Sequence, residues 1–129
     1  MTNEDVLKQV DIICGNKMPL GNGWYLFVYH NIHFVTILDA EQKTIRFSTP
    51  HLAKVDDFDK EMLFKVINET NRMVKFVKVI VLGNGSISLT YDHRIDKHDD
   101  ANDVVEHMIK SLYYVAEYFR QQYCFIKEG

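Results

Sequence analysis

The chain has 129 residues, 47% of them hydrophobic, with 15 Lys and Arg against 18 Asp and Glu for a net charge of -3. That length and apolar content suit one core and are too small for two, so a single α+β domain over residues 1–129 is expected. The mild acidity, with no long run of like charges, argues against a dedicated binder of nucleic acid or anionic membranes.

Thr2 or Asn3 can cap a first helix in which Val6, Val10, Ile13 and Cys14 recur at helical spacing, and Gly15-Asn16 stops it. Residues 17–23 read as a turn-rich passage. Three β-like runs follow, 25–30, 32–39 and 44–49, rich in Val, Ile, Thr, Phe and Tyr and separated by Asn31 and by the polar residues 40–43, which predicts a meander of hairpins. Pro50 is expected to end the meander, and Asp56 or Asp57 to cap a second helix reaching about Met73, its first turn acidic where the helix dipole favours it. Runs 75–82 and 86–93 flank Gly83-Asn84-Gly85, a hairpin signal because Asn and Gly accept positive φ. A polar loop, 94–100, leads to the longest helix, about 101–123. The predicted order is therefore α-β-β-β-α-β-β-α, with a five-stranded antiparallel sheet packed with helices.

The longest uninterrupted apolar stretch, 24–29, is far below the roughly 20 residues a spanning helix requires. The polar start, Thr2 to Asp5, lacks the pattern of a secretory signal, so a cytoplasmic protein is expected. Cys14 and Cys124 lie near opposite ends, outside any CxxC or ligand-spaced cluster, and are expected to be buried thiols.

Some apolar residues exceed what a core needs. On the last helix Ala101, Val104, Val105, Met108, Leu112, Val115, Ala116, Phe119 and Tyr123 form one stripe, widened by Ile109 and Tyr113, whereas Tyr114 and Tyr118 fall on the far side beside His107. On the second helix Met62, Leu63, Val66, Ile67, Thr70 and Met73 are expected inside and Phe64 outside. The first two strands are apolar on both faces, Trp24, Leu26 and Val28 alternating with Tyr25, Phe27 and Tyr29. The last strand alternates Ile87, Leu89 and Tyr91 with Ser86, Ser88 and Thr90, as for a sheet with one wet face. Phe64, Tyr114, Tyr118, Tyr25 and Phe27 are the candidate partner-binding residues, since aromatic side chains are enriched where proteins meet.

Catalytic patterns fail on inspection. Glu106-His107 lacks the second His of an HExxH helix, no GxSxG occurs, and Gly83-Asn84-Gly85-Ser86 lacks the Lys of a phosphate loop and joins two strands. His30 with His33, and the stretch Asp92, His93, Asp96, His98 and Asp99, have no recognised ligand spacing, and the latter lacks the Gly and closing Glu of a calcium loop. No catalytic residue, metal site or cofactor is therefore assigned.

The element order, with Val66-Ile67-Asn68-Glu69-Thr70-Asn71-Arg72 running through Phe76-Val77-Lys78-Val79 to the Gly83-Asn84-Gly85 turn, resembles the YbjN family, which is similar in fold to the type III secretion chaperones. The resemblance implies a small cytoplasmic bacterial protein, often dimeric, that holds a client polypeptide or regulates a partner. Asn68 and Asn71 match the signature, and their simplest role is to bond backbone at the helix end. The leading expectation is a non-enzymatic protein-binding module, chaperone-like or regulatory, acting as a homodimer. Its alternatives are a small-molecule or metal-dependent enzyme using the His93/His98 loop, and a structural subunit of a larger assembly.

Overall fold

A computed structural model describes the backbone of residues 1–126 and the side chains of residues 1–122. The first helix, α1 (Asn3–Cys14), opens where expected. The Thr2 side chain accepts from the Asp5 amide at 3.2 Å and the Asp5 carboxylate accepts from the Thr2 amide at 2.8 Å, a reciprocal cap that also holds the Asp5 carboxyl below its ordinary range. Six strands follow in chain order: β1 (Lys17–Gly21), β2 (Trp24–Tyr29), β3 (Ile32–Leu38), β4 (Thr44–Lys54), β5 (Val77–Val81) and β6 (Ser86–Arg94). The helices α2 (Lys60–Met73) and α3 (Ala101–Ile126) complete the chain order. The strands form one antiparallel sheet in the order β1-β2-β3-β4-β6-β5.

The sheet thus has six strands, not five. The additional strand is β1, which contains Pro19; proline has no N–H for the ladder and is tolerated because β1 is an edge. Nor does Pro50 end β4. It stands inside a register shift between Thr49 and Ala53, where His51 takes φ 53° and the missing donor interrupts nothing. Asp59 caps α2 by accepting from the Met62 amide at 3.0 Å, whereas Asp56 and Asp57 belong to a single 3-10 turn, Val55–Asp57.

Register decides which face each strand buries. Phe27 pairs with Phe34, Thr36 with Phe47, and Phe47 and Val77 with Tyr91, so these residues share one side of the sheet. They form a single core with Val6 and Val10 of α1, Leu63 and Ile67 of α2, and Val105, Met108, Ile109, Leu112, Val115, Ala116 and Phe119 of α3. All three helices therefore cover the same face. The α3 stripe follows the expected pattern, with Ala101 and Val104 half-buried; the predicted burial of Tyr123 and Cys124 lies outside the described residues. The α2 stripe is narrower than expected: Met62 and Met73 are exposed, because α2 packs over β5, the last strand of the sheet, and finds protein on fewer sides. Cys14 is half-buried and not fully enclosed, yet desolvation still pushes its thiol up to about 11.

Two turns fix the β1–β3 end. His30 and Asn31 both have positive φ, 47° and 66°, and join β2 to β3 as a tight two-residue hairpin. Gly23, at φ 82°, lies so close to β3 that a Cβ there would stand 2.5 Å from the Leu38 carbonyl oxygen, and the Leu38 amide donates back to the Gly23 carbonyl at 2.9 Å.

Candidate protein-binding surface

The face of the sheet opposite the helices divides into two halves. Leu26 pairs with Val35, Trp24 with Ile37, Val28 with His33 and Met18 with Leu26, which sets Met18, Trp24, Leu26, Val28, Val35 and Ile37 side by side on β1–β3. Val35 is shielded by its neighbours, but Trp24 is 45% exposed and Met18 and Val28 are comparably open. The stripe is bordered by two hollows. One, of about 440 Å³, includes Met18, Leu26, Val28 and His33 in its lining; the other, of about 480 Å³, lies between Trp24, Ile37 and the Arg46–Asp92 pair.

Across β4 and β6 the same face is polar and bonded to itself. The Arg46 guanidinium donates to both carboxylate oxygens of Asp92 at 2.6 and 2.9 Å, and the pairing raises the arginine pKa. Ser48 donates to the Leu89 carbonyl at 2.8 Å. Ser86 and Ser88, expected on a wet face, are buried instead: the bulged part of β4 brings the His51 Nδ1 to 2.6 Å from Ser86 Oγ and the His51 amide to 3.3 Å from Ser88 Oγ.

The five residues singled out from sequence do not form one surface. Phe27 is only 2% exposed and stacks on Phe34 at 5.4 Å; it belongs to the core and faces away from the open side. Tyr25 lies on the same helix-covered side, half-buried. Phe64 on α2 is 50% exposed and Tyr114 on α3 is 71% exposed, whereas Tyr118 is half-buried. Among the described residues no ring contact joins Phe64 to either tyrosine. The residues that sequence reasoning missed are Trp24, Leu26 and Val28, the alternate set of the same strand.

The loop before α3 is organised by its own side chains. His93 Nε2 lies 2.7 Å from Asp99 Oδ2, and the same carboxylate oxygen accepts from the Asp96 amide at 2.7 Å; that backbone bond, and then His93, holds the Asp99 carboxyl below its ordinary range. His98 is exposed, its amide bonded to Asp96, so it does not join His93 in a site. Among the described residues no group of three or more His, Cys, Asp or Glu side chains is arranged to hold a metal ion. Asn71 has a structural function: its Oδ1 accepts from the Val79 amide at 2.6 Å and its Nδ2 donates to the Val79 carbonyl at 3.0 Å, taking the place of a neighbouring strand at the β5 edge. Among the described residues no helix is long and apolar enough to cross a membrane.

No protein-family model matches the sequence, and no curated protein matches it significantly. Solved structures do match. The chain is similar to the ExsC–ExsE complex structure with a TM-score of 0.70 at 14% identity, over 92% of this chain and 90% of that one. It is similar to an uncharacterized protein from Methanothermobacter thermautotrophicus with a TM-score of 0.62 at 16% identity, over 95% and 98% of the two chains. YbjN from E. coli, described as a candidate transcription regulator, matches with a TM-score of 0.61 at 12% identity, over 98% of this chain and 95% of that one. At these identities the likeness carries the fold alone: the chain has the fold shared by YbjN and the type III secretion chaperones.

Proposed function

We propose that this chain is a non-enzymatic, cytoplasmic protein-binding module, chaperone-like or regulatory, that holds a client polypeptide on the β1–β3 half of its open sheet face. The observation that carries the reading is the open stripe of Met18, Trp24, Leu26, Val28 and Ile37, on the side of the sheet that no helix covers among the described residues. A contiguous apolar patch of this kind, bordered by polar side chains, marks an interaction surface. Leaving several large apolar side chains in water forgoes about 1.5–3 kcal/mol apiece if each could be fully buried, which a bound segment would recover in part. The solved ExsC–ExsE structure, a complex, supports a protein partner for this fold.

We assign residues 1–129 to one domain and a homodimer as the working unit. Self-association would use α2, on the other face of the sheet, where Phe64 and Met73 are exposed, so that client and second subunit would not compete. Light scattering across a concentration series should report twice the chain mass, and Phe64→Asp should return it to one chain. Binding of an apolar dye should survive Phe64→Asp and be lost on Val28→Asp. A protein that is monomeric at every concentration and binds neither dye nor alternating apolar peptides would overturn the proposal.

A further inference from the structure

We propose that the hollow between the first turns of α3 and the β5–β6 edge is a second binding site, one that takes a cationic group such as a guanidinium, amidinium or ammonium. The hollow is about 420 Å³ and is lined by Phe76, Tyr91, His93, Asp103, Val104 and His107, within the size range of sites for small ring-bearing ligands or a single long side chain.

Its floor is built and held. Phe76 stacks on Tyr91 with centroids 5.6 Å apart and planes 13° apart, and stands edge-on to His107 at 5.8 Å. The Tyr91 hydroxyl lies 2.9 Å from His107 Nδ1, and His93 is fixed by Asp99. Phe76 is nevertheless 58% exposed, so one side of its ring is supported while much of the rest stays bare. A bare aromatic face carries the negative part of the ring quadrupole and attracts a cation.

The charges around the hollow choose the same sign. Asp103 lines it and, among the described residues, makes no hydrogen bond or ion pair, while no Lys or Arg lines it. The start of a helix contributes roughly half a positive charge, which the full negative charge of Asp103 outweighs. An anion would meet Asp103 with no Lys or Arg in the lining to offset it, and a neutral ring would leave that carboxylate unused. The cation could be a free small molecule or a basic side chain of a partner protein; the recognition chemistry is the same.

The site does not depend on the open sheet face, so a variant disabled there, Val28→Asp, should retain it. The test is an NMR titration of the full chain with benzamidine, benzamide and benzoate, three probes that share a ring and differ in charge. Benzamidine is expected to shift the Phe76, Tyr91, Val104 and His107 amide signals saturably and to bind at least fivefold more tightly than benzamide, with no saturation by benzoate. Asp103→Asn should abolish the preference for amidinium over amide, and Phe76→Leu, with folding checked by circular dichroism, should weaken both. An acetylated, amidated Gly-Arg-Gly peptide separates the sources: binding tighter than benzamidine assigns the site to a partner's side chain, and weaker binding assigns it to a free cation. Saturable binding of benzoate equal to that of benzamidine, no saturable shift with any probe, or an unchanged preference in Asp103→Asn would overturn the proposal.

Discussion

The two halves of the open sheet face are made by one continuous ladder, yet they treat water differently. On β4 and β6 polar side chains bond to one another and to nearby backbone, as Arg46 does with Asp92 and His51 with Ser86. On β1–β3 the equivalent positions hold Met18, Trp24, Leu26, Val28, Val35 and Ile37, and no helix among the described residues covers them. Pairing and twist alone do not require this difference, since either composition suits a sheet face. The difference therefore locates the surface that folding leaves unfinished.

The largest expected effect separates the halves directly. Val28→Asp should reduce binding of an apolar peptide or dye by more than tenfold while leaving the thermal midpoint within a few degrees, because Val28 is exposed and its loss opens no cavity. Arg46→Ala, on the polar half, should leave binding within about twofold; exposed ion pairs contribute at most about 1 kcal/mol. Equal losses in the two variants would erase the distinction.

The frame under the apolar half should be the next most sensitive. Gly23→Ala must leave a left-handed conformation or clash with the Leu38 carbonyl, and should cost about 1–3 kcal/mol in chemical denaturation. An unchanged midpoint would mean that the β1–β2 turn is not held against β3. At the far end, Asn71→Ala removes both bonds to the Val79 backbone and should cost about 1–3 kcal/mol. It should also promote aggregation by freeing the β5 edge. Asn71→Asp, which can still accept from the Val79 amide but cannot donate when ionised, should fall between.

The smallest effect is electrostatic and belongs to the loop before α3. The Asp99 carboxyl is held below its ordinary range by the Asp96 amide and then by His93. A carboxyl depressed in the folded state contributes stability that is present above its unfolded pKa, about 4, and is lost as pH falls through the lower folded value. Hydrogen exchange at the Asp96 amide should therefore lose protection in that acid window, beyond the intrinsic pH dependence of exchange. Asp99→Asn should show no such acid step.

Much of the architecture was legible in local chemistry. The Thr2 cap, the Gly83-Asn84-Gly85 turn and the α3 stripe follow from short-range preferences that tertiary packing did not oppose. Two of the departures share a cause: an edge relaxes the rules. Pro19 reads as a strand breaker but is compatible with an outermost strand, and Met62 and Met73 read as core but lie on a helix placed over the sheet margin. The candidate surface was legible only as a choice between two sets. Both alternating sets of β2 are apolar, so period two separates Trp24, Leu26 and Val28 from Tyr25, Phe27 and Tyr29 without saying which set the helices cover. That is settled by cross-strand register with Phe34 and Phe47, which local sequence does not encode.

The chain carries one tryptophan, Trp24, and it lies in the apolar stripe. Its fluorescence, followed during titration with a peptide of alternating apolar residues, reports on this surface alone. Client binding on the β1–β3 half should shift the emission to shorter wavelength in a saturable way, and Val28→Asp should abolish the shift. Saturable binding by an independent method with no change in Trp24 emission would show that the partner sits elsewhere and would contradict the assignment.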